Sequence, residues 1–214
     1  MDFEAMRQEY AGSSFDVGDV DPDPFVQVRR WFEAWSAVAP NEPDAVVLAT
    51  ADGNGHPSAR TVLLRGFDER GCTFFTSYDS RKGRDLEANP HGAIVCSWVP
   101  LLRQVSFRGP VAKVPRGESE AYFAGRLRGS QLAAWASHQS SLLADRAELE
   151  ARFAEADARF ADGEVPCPPY WGGYRLVPDE IELWQGRPNR MHDRLRYERG
   201  ASSAGGWRIV RLSP

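Results

Sequence analysis

The residues of this chain best suited to chemistry are cations set among aromatic and hydroxyl side chains. In Ser58-Ala59-Arg60-Thr61-Val62-Leu63-Leu64-Arg65, strand alternation puts Arg60, Val62 and Leu64 on one face and Thr61, Leu63 and Arg65 on the other. Unpaired charge on an apolar strand is costly to bury, so each arginine is expected either in solvent or on an anion. Ser80-Arg81-Lys82-Gly83 precedes a helical pattern ending at Asn89-Pro90. With Ser80 as N-cap, free amides and two cations make a phosphate site, or simply a solvated helix start. Tyr122 and Arg126 share a helix face and Ser130 opens the next helix, a set that fits a phosphate ester or a routine surface. After Trp184-Gln185-Gly186, an extended Arg190-Met191-His192-Asp193-Arg194 would present Arg190, His192 and Arg194 together. Three such groups repel unless an anion or a π-system lies against them.

Other chemistries find little support. There is no Gly-x-Ser-x-Gly elbow, no Cys-His pair at informative spacing and no paired-carboxylate signature. No Gly-x-Gly-x-x-Gly opens a helix, which argues against a Rossmann nucleotide domain. His56, His91, His138 and His192 show no metal-ligand spacing, so no metal site is expected. Cys72, Cys96 and Cys167 read as inert thiols in a reducing cytosol. A cofactor is therefore expected to carry the hard chemistry. The formal charge of −4, from 26 Lys+Arg and 30 Asp+Glu, disfavours a generic nucleic-acid binder. No apolar run is long enough to cross a bilayer, and Met1-Asp2-Phe3-Glu4-Ala5 lacks the features of a secretory signal. A cytoplasmic protein is expected.

The elements that must position these residues are mostly short strands. Residues 1–22 are polar and read as a mobile arm, and 23–214 as a single domain. Asp23-Pro24 starts a helix carrying Phe25, Val28, Phe32 and Trp35, which Pro40 ends. Strands follow at Ala45–Thr50, Ser58–Phe67, Cys72–Thr76, Ala93–Trp98 and Gln104–Val114, separated by Gly-containing turns. They predict an antiparallel meander closing into a barrel. Helices are expected at Ser119–Arg126, Gln131–Ser137 and Asp145–Ala161, the last with Leu149, Phe153 and Phe160 on one side. Strands return at Tyr174–Val177, Glu180–Trp184, Arg194–Glu198 and Trp207–Leu212, with Gly205-Gly206 as the last turn. The fold class is α+β, mainly β, with peripheral helices.

Taken in order, eight segments resemble the pyridoxamine 5′-phosphate oxidase family: Arg60-Thr61-Val62-Leu63-Leu64, Phe75-Thr76, Ser80-Arg81-Lys82, Arg103-Gln104-Val105, Ser137-His138-Gln139-Ser140-Ser141, Trp171-Gly172-Gly173-Tyr174, Trp184-Gln185-Gly186 and Arg190-Met191-His192-Asp193-Arg194. The resemblance runs from Met6-Arg7-Gln8-Glu9-Tyr10 to Arg211-Leu212-Ser213-Pro214. It implies an antiparallel split β-barrel homodimer with FMN at the subunit interface. The flavin would meet Arg60, Thr61, Val62, Leu63, Leu64 and Arg65, with Phe75 and Thr76. Arg60, Arg81 and Lys82 would hold its phosphate, and Gln104, Gln139, Ser140, Trp184 and Arg194 would complete the site. The substrate phosphate would meet Arg65, Tyr122, Arg126 and Ser130. Arg190 and His192 would act on the pyridine ring as catalytic residues. Arg7 and Tyr10 match a segment that can cover the site.

The implied reaction is oxidation of pyridoxamine or pyridoxine 5′-phosphate by dioxygen, giving pyridoxal 5′-phosphate and hydrogen peroxide, within vitamin B6 metabolism. Two alternatives share the scaffold: a phenazine-biosynthesis type oxidase, and a non-catalytic FMN or pyridoxal-phosphate binder. The chain departs from the family's usual pattern at Arg65, where Lys is usual, and at Leu127, where Pro is usual. Neither change removes a charge, but a planar guanidinium holds phosphate differently from an ammonium.

Overall fold

A computed structural model describes residues 9–39, 41–161, 163–200 and 206–214; Arg7, Pro40 and Gly205 lie outside these. Helix α1 (Pro24–Ser36) starts as its cap predicts, with Asp23 accepting the Phe25 N–H at 2.8 Å and Pro24 in the first turn. It buries Phe25, Val28 and Trp31. Strands β1 (Ala45–Ala51) and β2 (Pro57–Leu63) pair antiparallel, from Ala45 opposite Leu63 to Ala51 opposite Pro57. The run expected as one strand over Ser58–Phe67 is broken. The Leu64 N–H still bonds the carbonyl of Asp44 at 2.8 Å, but the Arg65 N–H bonds the carbonyl of Thr73 at 2.8 Å. The chain leaves one partner for another there, and continues as β3 (Gly66–Asp68), hairpinned to β4 (Gly71–Ser77).

Helix α2 (Arg81–Ala88) leads to β5 (His91–Trp98), which pairs with both β1 and the long β6 (Arg103–Lys113). Strand β6 changes partners along its length. Arg103–Arg108 pairs with β8 (Glu180–Gln185), and Val111–Lys113 pairs with β7 (Trp171–Leu176). Gly109 sits at the switch, where a Cβ would lie 2.1 Å from the Val177 carbonyl oxygen. Strand β7 returns to β4, while β9 (Asp193–Arg199) and β10 (Trp207–Leu212) extend the sheet beyond β8. The circuit β2-β1-β5-β6-β7-β4 is an antiparallel barrel whose two ends meet only from Arg65 onward. Leu48, Phe74, Ile94, Phe107, Leu176, Ile181 and Leu195 fill its core and are fully buried.

Helices α3 (Arg116–Ala124), α4 (Arg128–Ala136) and α5 (Arg146–Arg159) form a second, smaller core around Phe123, Leu132, Ala156 and Trp171. Ser130 lies in the first turn of α4 rather than ahead of it. Ala156, not the expected Phe153, is the buried residue of α5, and Phe153 remains exposed. Within the described residues 9–22 of the segment expected to be mobile, Gly12, Phe15 and Asp21 make defined hydrogen bonds. Arg187 Nη1 donates to the Gly12 carbonyl at 2.8 Å, the Phe15 N–H donates to Asp193 at 3.3 Å, and Tyr197 Oη donates to the Asp21 carbonyl at 2.7 Å. Among the described residues, no helix is long and apolar enough to cross a membrane.

The β3–β4 turn depends on Gly71, which has φ of 125° and no room for a side chain, since a Cβ would lie 2.0 Å from the Leu176 carbonyl oxygen. Gly55, in the β1–β2 turn, has φ of 83° with open space around it. Gly55→Ala is expected to cost about 1–2 kcal/mol, the left-handed penalty alone. Gly71→Ala adds an overpacking cost of about 1–3 kcal/mol. Urea unfolding of both variants checks this; equal losses would contradict it.

Candidate active site

The unjoined ends of the barrel, β2 and β4, border a cavity of about 500 Å³. From β2 and the residues after it come Arg60, Thr61, Val62, Leu63 and Arg65; from β4 come Phe75 and Thr76. Lys82 of α2, Tyr122 of α3, Arg126, Leu127, Ser130, Gln139 and Trp171 complete the wall. Among the described residues β2 pairs only with β1, so its other edge leaves backbone N–H and C=O groups for a ligand. The four substrate-phosphate candidates and nine of the cofactor candidates, with Arg65 in both sets, thus share one space.

Ser80 caps α2, its hydroxyl accepting the Gly83 N–H at 3.3 Å. This turn carries Lys82 inward. The Lys82 ammonium is buried and donates to Gln139 Oε1 at 2.7 Å, Thr76 Oγ1 at 3.1 Å and Ser80 Oγ at 3.4 Å. All three acceptors are neutral. Burial, helped by the neighbouring Arg60 charge, lowers the Lys82 pKa to about 8. Arg60 donates to the Leu48 carbonyl at 3.2 Å and Thr50 Oγ1 at 2.8 Å, bonds Ser58, and stands 3.6 Å from Asp85. Burial pushes the Asp85 pKa up, but the hydroxyls of Thr50 and Ser58 and the charges of Arg60 and Arg81 outweigh it, and the net shift is downward. Arg81 and Ser140 are exposed, bonded to each other from backbone N–H to Oγ at 3.2 Å, and do not line the cavity. Leu64 turns into the core.

The second cation group lies on the helical side. Tyr122 stacks on Phe75 with ring centroids 3.8 Å apart, and both lie parallel to Trp171. The Arg126 guanidinium rests on the Trp171 face at 4.7 Å. Its Nη1 is buried with no hydrogen-bond partner among the described residues, and burial lowers the Arg126 pKa, with the Arg65 charge acting in the same direction. Arg65 itself is paired with Asp44 at 2.6 Å. A buried guanidinium nitrogen without a partner is costly unless a ligand supplies an acceptor. The roles of Trp171, Asp44 and Asp85 are not visible in the sequence, where nothing marks which carboxylate or indole will face the cavity.

The remaining candidates lie elsewhere. Strand register sets Ser97, Gln104, Trp184 and Arg194 side by side in one cross-strand row. Gln104 and Trp184, with Tyr10, line a separate cavity of about 210 Å³ that shares no residue with the first. Arg194 is held by Glu182 through two bonds of 2.9 and 3.1 Å and by the Ser213 carbonyl at 3.0 Å. The extended stretch expected over Arg190–Arg194 is not formed, because Pro188–Arg190 is a 3-10 turn with Asn189 and Arg190 at φ of 54° and 63°. Arg190 is exposed. His192 packs against Trp184, with centroids 4.7 Å apart, and against Tyr10 at 5.7 Å. Its Nδ1 lies 3.1 Å from the Arg187 backbone N–H and accepts from it, so a neutral ring carries its proton on Nε2. Burial, with the Arg190 charge, lowers the His192 pKa and favours that neutral form. Three strand spacings, about 14 Å, separate β6 from β2 across the sheet.

Comparison with known proteins identifies the family. Residues 33–160 match the sequence profile of pyridoxamine 5′-phosphate oxidase, and residues 171–214 match that of the pyridoxine 5′-phosphate oxidase C-terminal dimerisation region. Pyridoxine/pyridoxamine 5′-phosphate oxidase 1 of Ralstonia nicotianae is 55% identical over 98% of this chain and 97% of its own length. The pyridoxine/pyridoxamine 5′-phosphate oxidase of Burkholderia thailandensis is also 55% identical, with the same coverage. PhzG from Burkholderia lata 383, solved in complex with tetrahydrophenazine-1-carboxylic acid, is 32% identical, with a TM-score of 0.86 over 96% of this chain and 100% of that one. A pyridoxamine 5′-phosphate oxidase-related, FMN binding protein from Nostoc punctiforme, 16% identical over 91% of this chain and all of that one, shares the fold at a TM-score of 0.69. With two successive profiles matched and more than half of its residues identical to relatives along nearly their whole length, the chain belongs to the pyridoxine/pyridoxamine 5′-phosphate oxidase family.

Proposed function

We propose that this chain is an FMN-dependent oxidase that converts pyridoxamine or pyridoxine 5′-phosphate to pyridoxal 5′-phosphate with dioxygen as acceptor, working as a homodimer. The observation that carries this reading is the single cavity lined by two cation groups, Arg60 with Lys82 and Arg65 with Arg126, on either side of an aromatic stack. Two groups suit two phosphorylated ligands bound together. The residues fit FMN: Lys82 has no carboxylate partner among the described residues, and the free edge of β2 suits a flat ring with polar margins. Arg60 and Lys82, with Arg81, would hold the phosphate, while Thr61, Val62, Leu63, Phe75, Thr76 and Gln139 would frame the ring. When bound, FMN supplies the two-electron acceptor for a hydride from the substrate's exocyclic carbon, and its reoxidation by dioxygen yields hydrogen peroxide; with the amine substrate, water hydrolyses the resulting imine and ammonia leaves.

The protein's part is placement. Arg126, with Arg65, Tyr122 and Ser130, would hold the substrate phosphate. Gln104, Trp184, Arg190, His192 and Arg194 lie across the sheet from that cavity and would complete the partner subunit's site, consistent with a C-terminal segment of dimerisation type. There His192 would offer Nε2–H to the substrate ring, and Arg190 would press on the ring. The likeness to PhzG supports an oxidase of phenazine type as a second reading. The grouping of Arg65, Tyr122, Arg126 and Ser130 favours a phosphate ester instead.

Anion binding favours the charged form of Lys82, so FMN affinity should fall as pH rises past about 8, where free Lys82 loses its proton. Fluorescence titration from about pH 7 to about pH 9.5 checks this. Lys82→Met should bind more weakly and lose that step; identical profiles would contradict it.

Steady-state kinetics with pyridoxamine 5′-phosphate at saturating oxygen separate the two substrate groups. Arg126→Ala removes binding remote from the reacting carbon and should chiefly raise KM. Arg190→Ala should lower kcat by roughly 100-fold, because a misplaced reacting carbon slows hydride transfer. The reverse pattern would show the roles to be wrongly assigned.

A further inference from the structure

Resting on the reading that Arg60 holds the FMN phosphate, we propose that Asp85 is a positioning residue for Arg60, acting through the hydroxyls of Thr50 and Ser58. Asp85 is a buried carboxylate on α2, outside the cavity wall. Its Oδ2 accepts from Thr50 Oγ1 at 2.6 Å and from Ser58 Oγ at 2.8 Å. An ionised carboxylate has no proton to give, and each hydroxyl has only one, so both hydroxyl protons are committed to Asp85. The two hydroxyl oxygens are thereby left as acceptors. Arg60 uses both: Nη1 donates to Thr50 Oγ1 at 2.8 Å and Nη2 donates to Ser58 Oγ. A third bond runs from Nη1 to the Leu48 carbonyl at 3.2 Å.

Three of the five guanidinium N–H groups are then fixed to the protein. The Nε–H and one Nη2–H remain, on a side chain that lines the cavity. Asp85 stands 3.6 Å from Arg60 Nη2 and makes no closer contact, so it orders the guanidinium mainly by setting the direction of the hydroxyls. Both hydroxyls use the same oxygen, Oδ2, so an asparagine amide oxygen in its place can still accept both bonds; leucine, of similar size, accepts neither. In Asp85→Leu both hydroxyl protons lose their acceptor and turn elsewhere, and the guanidinium is released.

Charge and positioning predict opposite signs. Asp85 is a negative charge beside Arg60, Arg81 and Lys82, so Coulomb's law alone makes Asp85→Leu bind FMN more tightly. Positioning makes it bind more weakly. The experiment uses the full-length holoprotein, with the FMN dissociation constant taken from fluorescence released on dilution and the phosphate environment from ³¹P NMR of bound FMN. Asp85→Leu should weaken FMN binding by about tenfold, the weight of one hydrogen bond to a charged group, and displace the ³¹P resonance. Arg60→Gln should do the same, and the double variant should bind no more weakly than Arg60→Gln alone. Ser58→Ala keeps the Asp85 charge and cuts one link, so it should weaken binding in the same direction by a smaller factor; it decides the matter if Asp85→Leu does not fold. Unchanged or tighter binding with an unmoved resonance, or additive losses in the double variant, would overturn the proposal. If Arg60→Gln alone left both readouts unchanged, the phosphate role of Arg60 would fall, whatever Asp85→Leu did.

Discussion

The barrel does not close between β2 and β4. The strand that leaves β1 takes up β4 only at Arg65, whose N–H reaches the Thr73 carbonyl, and the residues before it, Arg60 to Leu63, keep one edge unpaired. An unpaired edge is a liability in water and an asset to a ligand with polar margins. The placement of the site follows from that gap. Phe75 and Thr76 come from the strand on its far side, α2 brings Lys82, and α3, α4 and the link between them bring Tyr122, Ser130 and Arg126 over it. The partner change of β6 at Gly109 allows one strand to serve both the barrel and the outer β8–β10 extension.

Inside the gap, charge is left deliberately uncompensated. Among the described residues, Lys82 meets only neutral oxygens, and Arg126 keeps a buried nitrogen with no acceptor. Such groups cost stability in the free protein. The cost is recovered when an anion binds the folded state alone, so ligand binding and folding are linked. The carboxylates nearby stop short of neutralising the site. Asp44 takes Arg65 from outside the wall, and Asp85 reaches Arg60 chiefly through two hydroxyls.

Much of this was legible in the residues. Asp23 and Ser80 announce their helices because capping is local chemistry, and the cations of the first cavity lie in short motifs whose order marks the family. What escaped depended on tertiary pairing. Strand alternation treats Arg190–Arg194 as extended, yet Asn189 and Arg190 take left-handed angles that only the loop's setting explains. The row of Gln104, Trp184 and Arg194 exists through the register of β6, β8 and β9, which no local pattern encodes. Asp44 and Asp85 are unremarkable as residues and acquire roles only from what faces them.

The first group of site residues lines one cavity of the chain, while Gln104 and Trp184 line another, with His192 packed on Trp184, and the proposed site needs the two groups to meet across a dimer. Subunit hybridisation tests this most directly. One inactive variant carries Lys82→Ala and Arg126→Ala, and the other carries Arg190→Ala and His192→Ala. Random exchange makes half the dimers hybrid, each with one site built wholly from native residues. The account predicts recovery of about a quarter of wild-type activity on mixing. If each site were contained within a single chain, no hybrid would hold an intact one, and a mixture as inactive as its components would contradict the account.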